Sequence, residues 1–223
     1  MPKTADHEER EERRDEGGGS WEAAEAYAQR CQRLNLPLEP TIAVWLRFGG
    51  ATLQVPSHSS LLPACDFLAQ GQGLKALSFR SAGFAARGTG NANARVLRHV
   101  LAKNTTLETL DLAHSGIDMD GVYDLCAGLR CNKTLKNLSL RGNYLGPEGG
   151  QMISDLLEEL IASAGPGGAT SLRELDIQAC SIGTGCVRSL AKVAGFNAIY
   201  TRMPAASQGG APVVNVAHNF EKE

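Results

Sequence analysis

Asp111, His114 and Ser139 are the residue types of a Ser-His-Asp set, in which an imidazole takes the hydroxyl proton and a carboxylate orients the imidazole. Cys180 could stand in as a nucleophile if a neighbouring base held it as thiolate. Cys31, Cys65, Cys126, Cys131, Cys180 and Cys186 could bind zinc if four donors converged, and the glycines of GPGGATS (165–171) could cradle a phosphate. Each reading meets an obstacle in the spacing. The cysteines contain no C-x-x-C pair, so neither a metal site nor a disulfide framework is expected. The glycine run has no lysine and follows a helical pattern rather than a strand, so no phosphate cofactor is expected. Whether the first set can act depends on the elements that carry it.

Those elements are repeats. Residues 74–84 (LKALSFRSAGF), 107–117 (LETLDLAHSGI), 135–145 (LKNLSLRGNYL) and 172–182 (LRELDIQACSI) place apolar residues at offsets 0, 3, 5 and 10. A small or amide-bearing residue stands at offset 8: Ala82, Ser115, Asn143 and Cys180. Offsets 3 and 5 alternate onto one face of a short strand, and offset 8 falls in the bend that follows. A helix comes next. In 118–134, Val122, Leu125, Cys126 and Leu129 lie at i, i+3, i+4 and i+7, with Asp118 or Asp120 as N-cap and Asn132 near the stop. Ile153, Leu156, Leu157, Leu160 and Ile161 repeat the stripe one unit later.

The pattern L-x-x-L-x-L-x-x-N-x-L resembles the leucine-rich repeat family. Leu101-Ala-Lys-Asn104-Thr-Thr106-Leu107 and Leu129-Arg-Cys-Asn132-Lys-Thr134-Leu135, with Gly121 and Gly149 at offset 14, resemble its ribonuclease-inhibitor-like class. The resemblance implies an α/β solenoid with a parallel sheet on the concave side and helices on the convex side. It also implies a non-catalytic protein-binding role, of the kind found in cytosolic, cytoskeletal or ciliary assemblies. An enzyme regulator, such as a GTPase activator or a nuclease inhibitor, is the alternative within the family.

Extended to the ends, the template predicts a first strand on Ala43, Leu46, Phe48, Ala51 and Leu53 and a last one on Ala211, Val214, Val216 and Asn219. The expected organisation is a charged, disordered tail over 1–19, an N-terminal capping helix over 20–36, and about six units over 37–223, with strands starting near 43, 74, 107, 135, 172 and 211. Ser20 caps the helix and Ala24, Tyr27, Cys31 and Leu34 form its stripe. Insertions at 87–91, 163–171 and 200–210 have loop compositions and should protrude. No helix is expected after Val216, so Val213, Val214 and Val216 would form an exposed end open to association.

Offsets 2, 4 and 6 turn away from the core. They predict a partner-binding face of Trp45, Arg47, Arg80, Asp111, Asn137, Arg141, Glu174, Asp176 and Gln178, with His114 beside it. Such a face supplies no oxyanion hole for Asp111, His114 and Ser139, and no closed pocket, so no enzyme is expected.

Composition narrows the partners. The 223 residues are 43% hydrophobic, 21% charged and 5% aromatic, and 22 basic residues against 24 acidic ones give a net charge of −2. That balance offers no field for nucleic acid. No run approaches the ~18 apolar residues of a membrane span, and the early Glu8, Glu9, Glu11 and Glu12 do not suit a secretory or mitochondrial signal. A cytoplasmic protein that binds other proteins, with no cofactor and no small-molecule substrate, is the expectation.

Overall fold

The computed structural model describes residues 19–71, 73–80, 89–164, 170–194 and 213–216. Strands β1 (Thr52–Pro56), β2 (Ala76–Arg80), β3 (Thr109–Asp111), β4 (Asn137–Ser139), β5 (Glu174–Asp176) and β6 (Val213–Asn215) form one sheet in chain order, and every neighbouring pair is parallel. Helices α3 (Cys65–Ala69), α4 (Thr89–Lys103), α5 (Met119–Leu129), α6 (Gly146–Ala164) and α7 (Gly183–Ala194) fall between successive strands and make the second layer, after α1 (Trp21–Leu34) and α2 (Pro40–Phe48). The fold is a short leucine-rich-repeat solenoid.

Register follows from the leucines. Leu53, Leu77, Leu110, Leu138, Leu175 and Val214 stand opposite one another across the sheet. Val55, Phe79, Leu112, Leu140, Ile177 and Val216 form a second column two residues on, and both columns are buried. From the helical side come Val122, Leu125, Cys126 and Leu129 of α5 and Ile153, Leu156 and Leu157 of α6. Each such side chain contributes about 1.5–3 kcal/mol on burial, which is what stacks the units. A one-residue slip of any strand would turn its column to water.

Asparagines hold the bends. Asn143 Oδ1 accepts from the backbone N–H of Ser115 (3.0 Å) and Ile117 (3.1 Å), while its Nδ2 donates to the carbonyls of Leu112 (2.8 Å) and Leu140 (2.7 Å). At the other end of the strands, Asn132 Oδ1 accepts from Thr134 and Leu135 N–H, and Nδ2 donates to Leu101 O. Asn104 does the same with Thr106, Leu107 and Leu68 O. Each amide therefore ties its own turn to the preceding unit. Where asparagine gives way to Cys180, the thiol lies 3.1 Å from Leu140 O and bridges the same gap more weakly.

The first unit differs from expectation. Residues 43–48 are not a strand; they lie in α2, which Glu39 caps by accepting from Thr41 N–H (3.2 Å) and Pro40 starts. Ile42, Trp45 and Leu46 form its buried stripe, and the helix ends where Gly49 and Gly50 take φ of 74° and 137°. The strand follows at Thr52, with Leu53 and Val55 inward. The capping segment is helical over Trp21–Leu34, with Ala23, Tyr27 and Cys31 buried and Leu34 exposed. Residues 89–91 are likewise not a protruding loop, because they form the first turn of α4. Gly90 presses so close to the Ser115–Gly116 backbone that a Cβ would overlap it. The expected tail over 1–18 and the inserts over 165–169 and 200–210 lie outside the described residues.

Two substitutions test this packing. Asn143→Ala strands two N–H groups and two carbonyls and should lower stability by about 3 kcal/mol. Ser154, buried in α6, is the side chain whose hydroxyl has no partner among the described residues, so Ser154→Ala should cost nothing or stabilise slightly. Urea midpoints at unchanged slope read both.

Candidate protein-binding surface

The parallel register sets the site. Ser78, Asp111, Ser139, Asp176 and Asn215 form a row across β2 to β6, with Ala76, Thr109, Asn137 and Glu174 in the row before it. Neighbours in a row are ~4.8 Å apart. Asp111 Oδ1 accepts from Ala113 N–H (3.0 Å) and Asp176 Oδ1 from Gln178 N–H (3.0 Å). The two carboxylates thus brace equivalent turns, and both residues are half-buried. Asn137 Nδ2 donates to Thr109 Oγ1 (3.3 Å), while Arg141 and Glu174 are exposed and Gln178 is half-buried. Lys136 Nζ reaches Glu108 Oε2 at 2.6 Å along the rim, and that hydrogen bond holds the Glu108 carboxyl below its usual range.

The structure therefore brings Asp111, Asn137, Arg141, Glu174, Asp176 and Gln178 onto one surface of mixed charge. Exposed His114 joins them on the turn after β3, where its backbone takes φ of 53° and its imidazole lies over Gly142. Arg80 ends β2, and its side chain lies outside the described residues, as does that of Val213.

Four expected positions are corrected. Trp45 is no concave anchor: it sits in α2, 4% exposed, with its indole N–H donated to Gly50 O at 2.9 Å. Arg47 is on the outer side of that helix, stacked on the rings of Trp21 and Phe48. Val214 and Val216 are buried, because they occupy the inward offsets 3 and 5. The exposed aromatics at this end are instead Trp21 and Phe48. Phe48 belongs to a second helical stripe, Val44, Arg47 and Phe48 at i, i+3 and i+4, which emerges once 40–48 is read as a helix.

Catalytic geometry does not form. Among the described residues no hydrogen bond joins Asp111, His114 and Ser139, since Asp111 is turned to its own bend and His114 to the next unit. Burial pushes the Cys180 thiol up to about 11 and the Cys126 thiol up to about 12, away from a reactive thiolate. Cys65 and Asp66 of α3 and His99 of α4 bring donor atoms within 4.8 Å of one another, a grouping hidden from sequence reasoning because it joins two helices. Asp66 is already paired with Arg30 at 3.0 Å, so the group has the form of an ion pair with two neighbours rather than a closed four-ligand zinc site.

Comparison with known proteins agrees with this geometry. A model of the leucine-rich repeat matches residues 103–126 and 131–154. The ribonuclease inhibitor of Sus scrofa is 34% identical over 110 residues, which are 49% of this chain and 22% of that protein. The chain carries leucine-rich repeats that are similar to the ribonuclease-inhibitor-like class. It spans less than a quarter of the length of that relative. Repeats of this family make protein-binding modules, and no helix among the described residues is long and apolar enough to cross a membrane.

Thiol labelling checks the assignment of the cysteines. In the native protein an alkylating reagent should modify exposed Cys131 and spare Cys126 and Cys180, which should react only in denaturant; rapid native labelling of Cys180 would contradict its structural role.

Proposed function

We propose that this protein is a non-catalytic binding module whose concave face, centred on Asp111, Asn137, Arg141, Glu174, Asp176 and Gln178, docks a partner protein within a larger intracellular assembly. The observation that carries the reading is the in-register row of outward polar groups on a sheet whose other face is wholly committed to the core. Arginine and the carboxylates give both signs of charge, which favours orientation and selectivity for a partner of matching pattern. Exposed His114 extends the face at its edge.

Size shapes the role. Six strands at ~4.8 Å span about 25 Å, and with some 10 Å of strand length the face covers a few hundred Å². That is below the ~800 Å² per partner of a standard interface, so stable docking recruits further surface, as in a subunit held by several neighbours. All six cysteines lie among the described residues and none is paired, which supports a reducing, cytoplasmic setting. A cytoskeletal or ciliary assembly rests on the family resemblance alone.

A second reading, an inhibitor or other regulator of an enzyme, is favoured by the similarity to the porcine ribonuclease inhibitor. The two readings separate by experiment. Proteins retained from native extract by the wild type should be lost with an Arg141→Glu, Glu174→Arg variant of unchanged fold, and the purified chain should leave ribonuclease activity unaltered. Equal retention by the variant overturns the concave-face reading; stoichiometric inhibition of a ribonuclease replaces the module with the inhibitor.

A further inference from the structure

The outer side of the α1–α2 pair is apolar and open. Trp21, Val44 and Phe48 are 61%, 57% and 51% exposed, although their helices bury other faces well. They flank a groove of about 500 Å³ with Ala24 and Ala43 in it and Glu25 and Arg47 on opposite helices. The Arg47 guanidinium lies 3.9 Å from the Trp21 ring and 4.9 Å from that of Phe48. Stacking fixes its plane and leaves its N–H edges without a carboxylate among the described residues. Exposed tryptophan and arginine held together in this way are the residue types that dominate binding energy.

We propose that this groove pairs with the same groove of a second copy of the chain, joining two α1–α2 hairpins in a four-helix contact. The surface is complementary to itself in shape, because small Ala24 and Ala43 leave room for the large Phe48 and Trp21 of the other copy. It is also complementary in charge. A twofold axis sets a groove wall carrying Arg47 against one carrying Glu25, and the same contact repeats on the other side. The chain's own first residues are a poor alternative occupant, since 1–18 hold only Met1, Pro2 and Ala5 as apolar residues.

Area sets the strength. A 14-residue helix is about 21 Å long, so two helices offer a contact at the small end of specific interfaces, dissociating in the micromolar range. The pairing leaves the concave face free and stands or falls independently of what that face binds.

Sedimentation velocity on the full chain between about 1 and 100 μM reads the proposal directly. The wild type should pass from monomer to dimer across that range, and Phe48→Glu should remain monomeric with an unchanged helical spectrum. Arg47→Glu should weaken association about tenfold, and adding Glu25→Arg in the same chain should restore it. A wild type that stays monomeric throughout, whether its groove is empty or filled by another protein or by 1–18, overturns the proposal. So does a dimer that survives Phe48→Glu, or a charge reversal that restores nothing.

Discussion

Four of the six strands are only three residues long, so besides the leucine columns the structure depends on buried amides that tie bends to the unit before them. Asn143 answers four backbone groups, one from its own unit and three from the preceding one, and Asn104 and Asn132 secure the opposite ends of the strands. Buried backbone N–H and C=O groups must be paired. In bends too short for a ladder, the amide side chain supplies both the acceptor and the donors. Without it the leucine columns would still favour this register, but the bends between them would hold unpaired backbone groups.

That constraint is also what makes the outward face a site. Because Leu110, Leu138 and Leu175 are in register, Asp111, Ser139 and Asp176 are too, and a pattern written along the chain becomes a pattern across a surface. The same geometry keeps Asp111 and Asp176 bonded to their own turns, at Ala113 and Gln178.

The central repeats were legible because every inward leucine recurs at the same offset in successive units, and four copies leave little room for another period. The first unit was not. Ala43, Leu46 and Phe48 fit the strand template, while Ile42, Trp45 and Leu46 fit a helix, and apolar spacing alone cannot decide between them. Glu39-Pro40 ahead of the segment and Gly49-Gly50 behind it were the deciding signals, as start and stop of a helix. Misreading them carried Trp45 from the core to the surface and hid Trp21 and Phe48. At the other end Val214 and Val216 are inward for the same reason as every residue at offsets 3 and 5. The grouping of Cys65, Asp66 and His99 could not be foreseen, since it depends on how α3 and α4 pack.

The most direct measurement is hydrogen exchange at Leu112, Leu140 and Ile177, whose amides donate to Ser139, Asp176 and Asn215 carbonyls in three successive units. If the units form one in-register stack, all three amides should exchange only through global unfolding, with free energies matching that from denaturant. Exchange at any of the three at rates near those of an unfolded chain would mean that the units do not pair in this register, and the proposed binding face would not exist.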